Sequence, residues 1–105
     1  MVSKIRLMLE YNTYCIWLYN ENDEIVGNDN PPELKDDKEL TDAFMAVSDL
    51  YDTFFIDNEY EFSYAGCPDE ETRRLLKRLI VNAIEILKKK TDGKYPVQDD
   101  IDYDF

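Results

Sequence analysis

The chemistry open to this chain is set by 24 Asp and Glu side chains, two cysteines and the absence of histidine. Without an imidazole no side chain has an unperturbed pKa near neutrality, so the common His-based nucleophile pairs and His-containing zinc sites are excluded. Cys15 and Cys67 stand 52 positions apart without Cys-x-x-Cys spacing, which fits reduced structural thiols better than a metal site. Cys67 precedes an expected helix start, where the dipole would favour a thiolate, but Asp69, Glu70 and Glu71 oppose it. There is no GxSxG, GxGxxG, Walker loop or HExxH, and Gly27, Gly66 and Gly93 are the only glycines that could bring backbone amides against a phosphate. A nucleotide-dependent enzyme is therefore not expected, and no catalytic residue or cofactor is assigned.

Carboxylates alone can bind a hard cation, and two runs invite the test: Asn20-Glu21-Asn22-Asp23-Glu24 and Asp99-Asp100-Ile101-Asp102-Tyr103-Asp104. Neither has the alternating ligands, central glycine and closing glutamate of an EF-hand loop. A solvated turn and a solvated tail are the simpler readings, so no metal site is assigned.

The formal net charge is −12 with a pI near 4.2, and it is unevenly spread. Residues 1–71 hold 18 acidic and 4 basic side chains, residues 72–94 hold 2 and 8, and residues 95–105 hold 4 and none. Such acidity repels nucleic acid and anionic membranes, so neither is an expected partner. Arg73, Arg74, Lys77, Arg78 and Lys88 to Lys90 offset neighbouring acids or solvate one helix face. The partner that complements the rest is a cationic protein. Candidate contacts are Glu21, Asp23 and Glu24 in one turn, with Asp99, Asp100, Asp102, Tyr103 and Asp104 in the final segment. Tyr103 and Phe105, aromatic among aspartates with no obvious core to enter, have the character of interface anchors.

These residues must be positioned by a small core, for which 44% hydrophobic and 13% aromatic residues suffice. Lys4 to Tyr11 alternates with the period of a half-buried strand, and Tyr14 to Tyr19 is a nearly continuous apolar run suited to a central one. Trp17, Tyr14 and Tyr19 are accordingly read as core and sheet packing rather than a ligand platform. Glu24 to Gly27 makes a short third strand after the polar turn Asn20 to Asp23. Leu40, Ala43, Phe44, Val47, Leu50, Tyr51 and Phe54 then recur at helical spacing, predicting helix one over residues 37–55 with Asp36 and Glu39 capping it. Tyr60 to Tyr64 alternates aromatic with polar, as a fourth strand with one face on the core. Pro68 at a first helical position opens helix two, which runs to Thr91, its stripe made by Leu75, Leu76, Leu79, Ile80, Ala83, Ile84 and Leu87. Residues 95–105 are an acidic tail, frayed or docked.

The expected fold is a single α+β domain over residues 1–105, a two-layer sandwich in the order β-β-β-α-β-α. Two helices cover one face of a four-stranded, mainly antiparallel sheet. A right-handed crossover would place the fourth strand beside the first, in the order 3-2-1-4. No apolar run nears the ~20 residues that span a bilayer, and Glu10 interrupts the opening stretch before it forms a signal-peptide core. A cytoplasmic location is expected.

A small acidic α+β chain without a catalytic set resembles the immunity proteins of bacterial polymorphic and contact-dependent toxin systems. The resemblance is one of overall character, with Met8-Leu9-Glu10-Tyr11 and Ile16-Trp17-Leu18-Tyr19 loosely similar to segments of that family. It implies a one-to-one, non-catalytic inhibitor of a cognate toxin domain, often a basic nuclease, whose active or substrate-binding surface it covers. The alternatives are an acidic adaptor or nucleic-acid mimic acting on a cellular protein and, less favoured, a carboxylate-based metal-dependent hydrolase.

Overall fold

Ile5 and Leu7 alternate with Lys4 and Arg6, and the computed structural model, which describes residues 1–105, forms β1 over Lys4–Leu7. β2 (Ile16–Tyr19) pairs with it antiparallel, setting Ile5 opposite Leu18 and Leu7 opposite Ile16. Asn12 turns the connection with a φ of 58°, a left-handed conformation that Asn tolerates. β3 (Ile25–Gly27) adds antiparallel to β2 after a turn in which Asn20 Oδ1 accepts the N–H groups of Asn22 and Glu24. The meander is the expected one with shorter strands.

Helix α1 (Lys38–Asp52) begins one residue later than its expected start, because Asp37 rather than Asp36 is the cap: its Oδ1 accepts the Leu40 N–H at 2.9 Å. Helix α2 (Glu70–Thr91) is capped by Asp69, which accepts the Thr72 N–H at 2.7 Å, and Pro68 lies just outside the helix rather than at its first position. Leu40, Phe44 and Val47 of α1 and Leu76, Ile80, Ala83 and Leu87 of α2 are buried in one core with Ile5, Leu7, Ile16 and Leu18. Both helices therefore cover the same sheet face, and the chain is α+β with a four-stranded, mostly antiparallel sheet.

That sheet has a different fourth strand from the one expected. Helix α1 stops at Asp52, short of Phe55, where Thr53-Phe54-Phe55-Ile56 brings together residues that favour extended backbone over helix. β4 (Phe55–Asp57) then pairs antiparallel with β5 (Phe62–Tyr64) as a separate hairpin, its turn closed by Asn58 Oδ1 accepting the N–H groups of Tyr60 and Glu61. Tyr60 to Tyr64 thus finds a partner a few residues away, which costs less loop entropy than crossing to β1. The place beside β1 is taken by β6 (Val97–Asp99), running parallel to it with Ile5 opposite Val97, in the sheet order β3-β2-β1-β6. Residues 95–105 are docked, since Tyr95, Ile101 and Phe105 are buried in the core. Phe105 is only 7% exposed, so it is a core residue and not a free anchor.

Candidate functional site: an acidic aromatic cleft beside the hairpin

Lys4, Arg6, Trp17 and Tyr19 occupy the sheet face opposite the helices, because they pair with one another across β1 and β2 in alternation with the core residues. There Lys4 Nζ meets Asp23 at 2.7 Å and Arg6 Nε meets Asp100 at 2.5 Å, while both cations lie over the Tyr19 ring at 5.5 and 5.4 Å from its centre. The Lys4 hydrogen bond holds the Asp23 carboxyl below the usual carboxylate range, and bonds from Arg6 and then Gln98 do the same for Asp100. These two candidate contacts are neutralised within the fold, where they fasten the β2–β3 turn and the segment after β6 to β1. Trp17 is half-buried on this face, and its indole N–H has no hydrogen-bond partner.

Glu21 and Glu24 remain exposed at the turn, with Glu24 Oε1 accepting from Asn20 Nδ2. Asp99 is committed locally, accepting the Ile101 N–H at 3.0 Å and the Tyr103 hydroxyl at 2.6 Å. Burial first, and then that bond, push the Tyr103 phenol well above its ordinary pKa. Tyr103 packs partly against the core, so its hydroxyl and half of its surface serve the fold.

Asp102 and Asp104 have different surroundings. With Tyr51, Phe55, Tyr64 and Phe105 they line a cleft of about 190 Å³. The last turn of α1 supplies Tyr51, the two hairpin strands supply Phe55 and Tyr64, and the docked segment supplies Phe105 and both carboxylates. Phe55 centres the ring cluster, 5.3 Å from Tyr51, 5.1 Å from Tyr64 and 4.7 Å from Tyr11, and stacked on Phe62 at 6.0 Å. The second strand and turn of the hairpin hold rings in solvent: Tyr60, Phe62 and Tyr64 are 91%, 60% and 50% exposed. The expectation that their strand lays one face on the main core is therefore corrected, since a two-stranded hairpin beyond the sheet has no second layer over its outer side.

No lysine or arginine occurs between residues 39 and 72, or after Lys94. Around Tyr51 the negative charge is dense: burial raises its phenol pKa first, and Asp102, Asp52 and Glu10 add to the effect. Tyr64 is likewise raised by burial, with Asp102 and Asp104 raising it further and Arg73 opposing them. Arg73 itself is engaged, donating from Nε to the Phe105 carbonyl at 2.5 Å and from a terminal nitrogen to Glu70 at 2.6 Å. Asp57 accepts the Tyr11 hydroxyl and Asp52 the Asn12 N–H, so the acids at this end are oriented by neutral donors. Protonated phenols, ring faces and solvated carboxylates equip the cleft to hold a cation.

Elsewhere Cys15 is buried against Ser48, and its thiol pKa is pushed up to about 11 by burial. Cys67 is half-buried and donates its S–H to the Asp69 carbonyl. No three His, Cys, Asp or Glu side chains converge in an arrangement that could hold a metal ion, and no helix is long and apolar enough to cross a membrane. No protein-family model matches the chain and no curated protein is similar to it in sequence, so nothing borrowed from a relative bears on these residues.

Proposed function

We propose that this chain is a non-catalytic inhibitor of the immunity-protein kind, binding a cognate cationic toxin domain and covering its active or substrate-binding surface. One observation supports this reading above the rest: Glu10, Asp52, Asp57, Glu59, Glu61, Asp102 and Asp104, none ion-paired with a lysine or arginine, accompany the exposed rings of Tyr60, Phe62 and Tyr64. Unpaired carboxylates steer a basic partner and speed its encounter. Exposed tyrosine and phenylalanine supply the desolvated contacts that hold such a complex once formed. Asp102 and Asp104 are the foremost contacts, Glu21 and Glu24 contribute to the long-range field, and Asp23 and Asp100 serve the fold.

Co-purification with a basic toxin domain encoded beside this chain is the direct test. The expected result is a one-to-one complex that blocks toxin activity stoichiometrically and whose association rate falls as salt rises. A neighbouring basic domain that neither co-purifies nor loses activity would overturn the reading.

A further inference from the structure

Three surfaces could hold a partner group. The outer face of α2, with Lys77, Arg78 and Val81, is basic, lacks aromatic rings and would suit an anion. The open sheet face has rings, but Lys4 and Arg6 already pair with its acids. Of these three, only the cleft between α1, the hairpin and the docked segment joins ring faces to carboxylates without a cationic partner.

We propose that this cleft receives one arginine side chain of the partner, its guanidinium lying against Tyr51, Phe55 and Tyr64 and hydrogen-bonded to Asp102 and Asp104. The proposal rests on the reading of the chain as a binder of a cationic protein and names the group that its acidic end accepts. Size supports it first: about 190 Å³ is below the ~300–1,000 Å³ of small-molecule sites, which suits a single side chain better than a whole ligand. Ring chemistry supports it second. A cation is drawn to the faces of tyrosine and phenylalanine, and a planar guanidinium can stack there where an ammonium cannot. Charge complementarity comes third. Asp102 Oδ1 accepts the Asp104 N–H at 2.9 Å, which sets the two carboxylates in a fixed local turn, and a forked donor can bond carboxylate oxygens two at a time. Arg73, a cation whose charge acts on Tyr64, is held by Glu70 and the Phe105 carbonyl and leaves the cleft acids unpaired.

Aromatic-ring NMR of the intact chain, titrated with N-acetyl-L-arginine methylamide and separately with its citrulline counterpart, tests this. The arginine probe is expected to shift the ring signals of Tyr51, Phe55 and Tyr64 saturably, with roughly millimolar affinity for so small a ligand. Citrulline, equal in shape without the charge, is expected to leave them in place. The double variant Asp102→Asn, Asp104→Asn keeps the local acceptor and is expected to weaken the arginine probe about fivefold, as two partly solvated charges would. Equal shifts by both probes, shifts that never saturate, or unchanged affinity in the double variant would overturn the proposal. Saturable arginine binding without a toxin complex would uphold the cleft and count against the inhibitor reading. A toxin complex indifferent to Tyr64→Ala and to the double variant would overturn the cleft and leave the inhibitor reading standing.

Discussion

Phe105→Ala probes the docking on which the cleft depends. The ring is 7% exposed and lies 6.3 Å from both the Phe54 and the Tyr103 rings, while its carbonyl is held by Arg73. Burying such a side chain contributes about 1.5–3 kcal/mol, and the cavity left in a core raises the usual Phe→Ala cost to about 3–5 kcal/mol. Residues 100–105 form no helix or strand and can relax toward the gap, so the lower end applies, about 3 kcal/mol. A domain of this size holds about 5–15 kcal/mol in total and loses about 4–8 °C per kcal/mol, so Tm should fall by roughly 12–24 °C. Tyr95 and Ile101 keep β6 anchored, so the urea m-value should stay near that of the parent chain while the midpoint drops. Urea unfolding followed by far-UV circular dichroism reads both quantities. As a control Asp104→Ala, at an exposed position, should shift stability by no more than about 0.5 kcal/mol. A Phe105→Ala loss below about 1 kcal/mol would refute the claim that this ring is a core residue.

Other outcomes follow from the same contacts. Asp37 accepts from Lys90 Nζ at 2.7 and 3.0 Å and caps α1, and these bonds, Lys90 first, hold its carboxyl below its ordinary value. A carboxyl lowered on folding adds stability above its unfolded pKa of about 3.9 and loses it as pH falls through the folded value. The deficit of Asp37→Asn in denaturant midpoint should therefore be full at pH 7 and shrink below about pH 4; a deficit constant through the acid limb would contradict the ion pair. With an aromatic disulfide reagent, the half-buried Cys67 should label in the native chain and Cys15 only on unfolding. Rapid native labelling of both would contradict the burial of Cys15. Tyr60→Ala should change stability by no more than about 0.5 kcal/mol, since the ring is 91% exposed, yet under the proposed function it should weaken binding to the cationic partner by tenfold or more as an anchor would, which titration calorimetry measures.

Local rules made much of the fold legible. The period-two pattern at Ile5 and Leu7, the polar turn at Asn20 and the stripes of the two helices each identify their element, because burying one face forces that spacing. The cap of α1 falls one residue from its expected place, since Asp36 and Asp37 are chemically equal in sequence and only the backbone decides which oxygen reaches an N–H. The hairpin was less legible: Phe54 continues the helical recurrence of Leu40, Phe44, Val47 and Tyr51, and nothing in that spacing shows the helix yielding at Thr53.

Hydrophobic periodicity and the order of charges by themselves determined an α+β core under an acidic surface, with acids concentrated before residue 72 and after residue 94. Tertiary structure alone decided which acids remain without a cation. Asp23 and Asp100 lie far apart in sequence from Lys4 and Arg6 or across a strand pairing from them, and the sheet brings each to a cation. Asp102 and Asp104 instead come beside Tyr51, Phe55 and Tyr64 because Ile101 and Phe105, which flank them, dock into the core. An ion pair is a property of distance in space, and a sequence records the charges without the distances.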